Sequence, residues 1–135
     1  MAIPDEALHG VVRIRSAHDV ARTAERLVAI LERHGLRVFA QIDFARDAAA
    51  AGLALRPERL VVFGNPKSGT PLLAAAPSIG LDLPLKALIW EDADGATWLA
   101  HNDPAYIVHR HAVPAELSKY IEGAAALIAE AASEP

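Results

Sequence analysis

The stretch LKALIWEDADGATWLA, residues 85–100, carries the clearest signal for the fold of this chain. Two apolar segments, residues 85–91 and 96–100, flank the dipeptide Asp94-Gly95, which is typical of the turn of a β-hairpin. A hairpin joins antiparallel strands, whereas a parallel doubly wound sheet needs a helix between most of its strands. We therefore predict a mainly antiparallel sheet that contains this hairpin.

Patterns before the hairpin predict three further strands. Residues 11–15 alternate apolar and basic side chains, and residues 36–43 alternate in the way expected of a strand with one buried face. Residues 60–63 form a continuous apolar run, which indicates a buried strand. These segments extend the sheet on the N-terminal side of the hairpin.

Helix signals separate the strands. Ser16 and Asp19 look like a capping box, with Asp in place of the usual Glu, and helical spacing then continues to Gly35. Residues 44–53 are rich in alanine and predict a short helix. Thr70 is expected to cap a short helix that begins at Pro71 and stops before Pro77.

Two more helices are predicted in the last third of the chain. Asn102 or Asp103 can cap a helix that begins at Pro104, and Pro114 is expected to open the final helix. The apolar stripe of this final helix consists of Leu117, Ile121, Ala124 and Ile128. Together the patterns predict an α+β fold, a mainly antiparallel sheet with helices packed on one face.

Composition limits the function. The 135 residues are expected to form a single domain, residues 1–135, and the formal net charge of -4 argues against a nucleic-acid partner. The absence of cysteine excludes disulfides, thiolate metal sites and a cysteine nucleophile. No apolar run reaches the ~20 residues of a membrane-spanning helix, and residues 1–10 lack the pattern of a signal peptide. We expect a soluble, cytoplasmic protein without a membrane partner.

The run GNPKSGTP, residues 64–71, is the first candidate site. It places the polar side chains of Asn65, Lys67, Ser68 and Thr70 at the end of a strand, where the start of a helix can attract an anion. The run is not a Walker loop, because Thr70 stands where that motif requires lysine. A rigid turn and a ligand-binding loop both remain open.

A second candidate pair, Asp82 and Lys86, flanks Leu83-Pro84-Leu85. The two residues can pair with each other, or Asp82 can accept hydrogen bonds from the loop after residue 64. A role in proton transfer requires a shifted pKa. Stapling two loops and catalysis are the two interpretations of this pair.

Residues 101–111 hold a third candidate cluster. His109 and His111 are two apart and would point apart on a helix, so their spacing matches no standard metal motif, and we predict no metal site and no cofactor. Asp103 is expected to cap a helix and His111 to pack or hydrogen-bond at its end. A Ser–His–Asp triad is formally possible with Ser68, Ser78 or Ser118, although none lies in a Gly-x-Ser-x-Gly elbow.

The order of these motifs resembles the domain-of-unknown-function 302 family. The resemblance is carried by residues 64–71, 81–86, 90–92, 102–104 and 110–111. It implies an α+β fold related to the TATA-box-binding-protein-like class, a homodimer, and no settled activity. The matching polar residues are Asn65, Lys67, Thr70, Asp82, Lys86, Asp103 and His111. Two departures are Phe44, where the family often has histidine, and His101, where it often has tyrosine.

Three functions follow as hypotheses. The first is a homodimeric domain that binds a small polar or anionic ligand through the matching residues. The second is a small enzyme in which Asp82 or Asp103 works with His111 in proton transfer. The third is a structural or interaction module, in which Trp90 and Trp98 of the hairpin or the final helix form the contact between subunits.

Overall fold

The computed structural model describes residues 9–135. Residues 1–8 lie outside the described part, and they make up most of the segment, residues 1–10, in which no signal peptide is expected. The strands are β1 (Val11–Arg15), β2 (Arg37–Asp43), β3 (Glu58–Gly64), β4 (Leu85–Glu91) and β5 (Thr97–Asn102). The helices are α1 (Val20–Arg33), α2 (Phe44–Ala50), α3 (Pro66–Ala75), α4 (Pro104–Arg110), α5 (Lys119–Glu122) and α6 (Ala124–Ala132). Short 3-10 segments lie at Pro77–Leu81 and Ala115–Leu117.

The five strands form one sheet in the order β1-β5-β4-β3-β2, and every neighbouring pair is antiparallel. The predicted sheet and its β4–β5 hairpin are therefore confirmed. The amide of Asp92 donates to the carbonyl of Ala96 across the turn, at 2.9 Å. Gly95 has a φ of +82°, a left-handed conformation that glycine adopts without steric cost.

Helices α1 and α6 pack on one face of the sheet, as predicted. Leu27 and Leu31 of α1 are fully buried, and they contribute to one core with Val61 and Phe63 of β3. Val61 and Phe63 are two residues apart and both point into this core, which is the strand periodicity of two. Burial of a side chain of this size stabilises the fold by roughly 1.5–3 kcal/mol, so this layer holds α1 and α6 on the sheet.

A second apolar cluster forms beside one end of the sheet. It joins α3, the segment Pro77–Leu81, α4 and α5. Its buried members are Leu72, Ala76, Ile79, Ile107, Val113 and Ile121. Leu85 of β4 packs against both clusters, and it therefore ties the smaller one to the sheet.

Helix α3 begins at Pro66, and the prediction that it begins at Pro71 was wrong. The side-chain oxygen of Asn65 caps the helix by accepting the amide of Lys67 at 3.0 Å, whereas Thr70 lies inside the helix. Both prolines fit the first turn of a helix, but only Pro66 follows a residue whose side chain caps in the structure. Pro71 is instead an internal proline of α3.

The expected capping box at the start of α1 is also corrected. Asp19 itself is the N-cap and accepts the amide of Arg22 at 2.7 Å. The hydroxyl of Ser16 bonds instead to the hydroxyl of Thr23 at 2.6 Å. The helix consequently begins at Val20, one turn later than a cap at Ser16 would place it.

The final helix predicted from Pro114 is interrupted. A 3-10 segment precedes α5, and Gly123 separates α5 from α6. Glycine inside a helix costs about 1 kcal/mol relative to alanine, which makes this a favourable place for a break. Ile121 packs in the smaller cluster and Ile128 in the main core, so the expected single stripe serves two cores.

Antiparallel pairing brings the sequence motifs to one end of the sheet. Phe63, near the end of β3, pairs with Leu85 at the start of β4. Asn65 follows β3 and Asp82 precedes β4, so both lie at this end. Because β5 runs antiparallel to β4, its last residues also finish there, which places Asp103 at the same end.

The hairpin turn depends on the carboxylate of Asp92. This group accepts the indole Nε1–H of Trp98 at 2.8 Å and the amides of Asp94 and Ala96 at 2.9 Å. The bond from Trp98 is the main cause of a lowered pKa of Asp92, and the amide of Ala96 adds to it. The ionised form therefore stabilises the folded hairpin.

We predict that Asp92→Asn lowers the free energy of unfolding at neutral pH. In acid the variant should lose less of this free energy than wild type does. Because the folded pKa is depressed, the stabilisation by Asp92 is fully present above its ordinary value of 3.8 and is lost as the pH falls through the lower folded value. Urea unfolding of wild type and variant between pH 7 and pH 2 measures this, and the two curves should converge below 3.8. Asp94→Asn is the control, and equal behaviour of the two variants would contradict the prediction.

Candidate functional site

Asp82 and His111 meet in a polar network beside the smaller apolar cluster. Asp82 follows the segment Pro77–Leu81, and His111 follows the last residue of α4. His111 Nε2 lies 2.5 Å from Asp82 Oδ2, and Arg110 Nη1 lies 3.1 and 3.2 Å from the two oxygens of the same carboxylate. The side chain of Asp82 is only 14% exposed, so two cationic or donor groups surround a largely buried carboxylate.

Ser78 completes this network at the surface. Its hydroxyl lies 2.8 Å from His111 Nδ1, so both ring nitrogens of His111 have partners. The His111 side chain is 4% exposed, whereas Ser78 is exposed. The imidazole therefore links a solvent-accessible hydroxyl to a shielded carboxylate.

Ser78, His111 and Asp82 are arranged so that a proton can pass from the hydroxyl to the imidazole. When Asp82 accepts from Nε2–H, His111 Nδ1 is free to accept the hydroxyl proton of Ser78. Serine hydrolases activate serine in the same order of groups, although here the two ring nitrogens exchange places. Of the three serines considered for a triad, the structure places Ser78 against His111.

The other predicted residues have separate positions. Asp103 caps α4 by accepting the amide of Ala105 at 3.0 Å, which confirms the capping role expected from the sequence. Lys86 Nζ donates to the carbonyl of Pro84 at 2.9 Å. Lys67 is exposed on the first turn of α3.

Asn65 and Thr70 line a different feature, an open groove of about 430 Å³ that we call the α3 groove. Its polar lining consists of Asn65, Ser68 and Thr70, from the start of α3. Its apolar lining includes Phe39, Leu73, Leu83, Pro84, Leu85, Tyr120 and Ile121. The groove lies at the same sheet end as Asp82, but Asp82 and His111 are not among its lining residues.

The start of α3 has few amides left for an anion. Pro66 has no N–H, and the amide of Lys67 donates to the side chain of Asn65. The amides of Ser68 and Gly69 donate to the carbonyl of Asn65, at 3.0 and 2.8 Å. A ligand in the α3 groove would therefore meet side-chain groups of α3 rather than a ring of free amides.

His101 was not among the predicted site residues, yet it lies close to the network. Its Nδ1 lies 3.0 Å from the carbonyl of Asn102 and so carries the proton, which leaves Nε2 as an acceptor. Nε2 is buried without a partner in residues 9–135. His101, Asp82 and Lys86 share a cavity of about 10 Å³, which is the space that one water molecule needs.

Sequence reasoning missed the apolar half of the α3 groove and the pairing of Arg110. Phe39 belongs to a strand pattern and Tyr120 to a helix pattern, and neither pattern shows that the two residues meet. The available signal was weak: Phe39 occupies a polar-facing position of β2 and is 45% exposed. Arg110 stood in a recognised motif beside His111, but only the fold brings it to Asp82.

Comparison with known proteins assigns the family. The model of the family described as "Domain of unknown function DUF302" matches residues 12–133. This chain belongs to the DUF302 family. The prediction from the motifs is confirmed. A crystal structure of an uncharacterized conserved DUF302 protein from Bacillus stearothermophilus superposes with a TM-score of 0.80 over 93% of this chain and 99% of that one. At 22% identity it supports the fold alone.

Relatives of known name also match this DUF302 chain. It is 46% identical over 104 residues to a protein of Brucella suis biovar 1 (strain 1330) named fluoride-specific ion channel FluC 1, and equally to FluC 2 of Brucella melitensis biotype 1. The match covers 77% of this chain but only 41% and 38% of those proteins. The chain thus spans about two fifths of their length. Among residues 9–135 no helix is both long and apolar enough to cross a bilayer.

We predict that Asp82→Ala lowers the free energy of unfolding by about 1–3 kcal/mol, because His111 and Arg110 lose a shared acceptor in a partly buried network. Chemical denaturation measures the change. Exposed Glu32 on α1 provides the control substitution Glu32→Ala. An Asp82→Ala protein as stable as this control would show that the network does not hold α4 against Pro77–Leu81.

Proposed function

We propose that this DUF302 domain binds a small ligand with a polar or anionic group in the α3 groove, and that it does so as a cytoplasmic homodimer. The observation that carries the proposal is a concave apolar surface with polar side chains grouped at one edge. Its volume of about 430 Å³ lies within the range of roughly 300–1,000 Å³ that small-molecule sites occupy.

Exposed apolar side chains in the groove support this function. Phe39 is 45% exposed and Leu73 40% exposed, and both face the same concavity. Large apolar side chains grouped on a surface are typical of contact sites, whereas isolated ones are not informative. A ligand that covers Phe39 and Leu73 would remove them from water.

The lining favours a ligand with an apolar body and one polar end. Ser68 and Thr70 supply hydroxyl donors, and Lys67 lies on the same turn and can add positive charge. Because the first amides of α3 already donate to Asn65, these side chains are the groups left to bind the polar end of a ligand. A small carboxylic acid has the chemistry that suits this arrangement.

The names of the two Brucella relatives suggest an inorganic anion, fluoride, that the binding experiments below should include. Because they are called fluoride-specific ion channels, fluoride is a second anionic ligand to examine for this domain. Fluoride would not use the apolar wall of the α3 groove. Variants in the groove should therefore separate fluoride binding from binding of an organic acid.

Filling the α3 groove tests the proposal. Gly69 lines the groove, and a Cβ added there meets nothing within 4 Å. We predict that Gly69→Phe abolishes binding of short carboxylic acids, from benzoate to octanoate, whereas Gly69→Ala retains it. Saturation-transfer NMR measures the acids, and ¹⁹F NMR measures sodium fluoride. Binding that is equal in both variants, or absent from wild type, would contradict the groove as a ligand site.

A second candidate function is proton-transfer catalysis by Asp82 and His111. The supporting observation is the continuous chain from exposed Ser78 through His111 to Asp82, with separations of 2.8 and 2.5 Å. Asp103, the alternative carboxylate, is engaged as the cap of α4. General acid–base catalysis by a positioned side chain contributes about 10²–10⁴-fold to a rate.

Hydrolysis of 4-nitrophenyl acetate tests this second candidate. We expect His111→Gln and Ser78→Ala each to lower the rate by about 10²-fold or more, since either change breaks the proton path. His109→Gln, an exposed histidine on the same helix, is the matched control. A wild-type rate equal to that of His111→Gln leaves the network as a structural staple, which is the third candidate role.

A further inference from the structure

The face of the sheet opposite the core of α1 and α6 carries an ordered pattern. Paired residues of neighbouring strands share a face, and chain neighbours take opposite faces. Since Ile89 and Leu99 point into the core, their neighbours point away from it. We call this second surface the open face. One cross-strand row on it is Glu58, Trp90, Trp98 and Arg15, and the next is Ile42, Leu60, Leu88, Ala100 and Arg13.

The open face is mostly apolar. Six of the nine side chains in the two rows are apolar, and the large ones are half-buried. The guanidinium of Arg13 lies over the Trp98 ring, 4.9 Å from its centre. A continuous patch of this kind is typical of a protein contact surface.

We propose that the open face is the contact between two copies of this chain, related by a twofold axis parallel to the strands between β4 and β5. This inference rests on the homodimer in the proposed function, and it adds the surface and the residues that pair across it. Face-to-face sheets pack about 10 Å apart, a distance that long side chains at the ends of a row can bridge.

The first row carries opposite charges at its two ends, which a twofold axis would bring together between two copies of the chain. The row reads acidic Glu58, Trp90, Trp98 and basic Arg15 across four strands. The twofold axis reverses the row, so Glu58 meets the partner's Arg15, and this pair occurs twice. Within residues 9–135 neither Glu58 nor Arg15 forms a salt bridge, and the charge of Arg15 makes the smallest of the contributions that lower the pKa of Asp92.

The centre of the second row fits the same axis in size, and further out the axis sets Leu60 against the partner's Arg13. Leu88 on β4 and Ala100 on β5 are paired neighbours, so the axis between these strands sets Leu88 against the partner's Ala100. A large side chain facing a small one allows two sheets to interdigitate. The axis that pairs the charges in the first row therefore also pairs a large with a small side chain in the second.

Charge reversal with rescue tests this surface. Analytical ultracentrifugation of the full chain should show a wild-type dimer, and Glu58→Arg or Arg15→Glu should each raise the dimer Kd by about tenfold or more, because like charges then face each other twice. The double variant Glu58→Arg/Arg15→Glu should restore dimerisation. Glu32→Arg on the outer side of α1 is the matched control.

The outcomes separate this inference from the proposed function. A wild-type chain that stays monomeric at millimolar concentration overturns the homodimer and this surface together. A dimer that tolerates both reversals overturns only the surface. Circular dichroism confirms folding, and where a reversal unfolds the chain, Glu58→Gln and Arg15→Gln provide the same comparison with a smaller rise in Kd. Carboxylic acids that bind a monomer in the α3 groove would uphold ligand binding independently.

Discussion

The register of β4 between β3 and β5 is the constraint on which the rest of the molecule depends. It sets Ala87 and Ile89 into the main core and turns Leu88 and Trp90 to the open face. A shift of one residue would exchange these two sets and expose the core, so a large apolar area enforces the register. The same register also decides which loops meet at the end of the sheet.

Local sequence signals predicted the elements more reliably than their ends. Asp94-Gly95 identified the hairpin because a tight turn depends on a few neighbouring residues. The start of α3 was wrong because Pro66 and Pro71 carry the same local signal, and the choice depends on the cap that forms. Gly123 likewise permits a break in the last helix, but only the two separate clusters at Ile121 and Ile128 make one necessary.

The candidate site shows why side-chain partners are harder to predict than elements. Asp82 and His111 were both singled out, yet 29 positions separate them and nothing local records their contact. Arg110 and Ser78 join them only because the smaller cluster packs α4 against Pro77–Leu81. The network and the α3 groove therefore arise from the same packing, although they have different chemistry. Exposed salt bridges contribute little to stability. The contacts of Asp82 therefore stabilise the fold because its side chain is largely buried.

Phe39 of the edge strand β2 forms part of the apolar wall of the α3 groove. Between Val38 and Ala40 the pairing of β2 with β3 shifts, and Phe39 lies at that shift. Phe39 lies beside Gly64, where an added Cβ would be 3.4 Å from its ring. Arg37 and Phe39, two residues apart, share one side of β2, with the Arg37 guanidinium 5.7 Å from the centre of the Phe39 ring. Because Val38 packs against the main core, the period of two places Phe39 on the side of β2 away from that core, and the groove forms where Phe39 meets residues of α3 and α5.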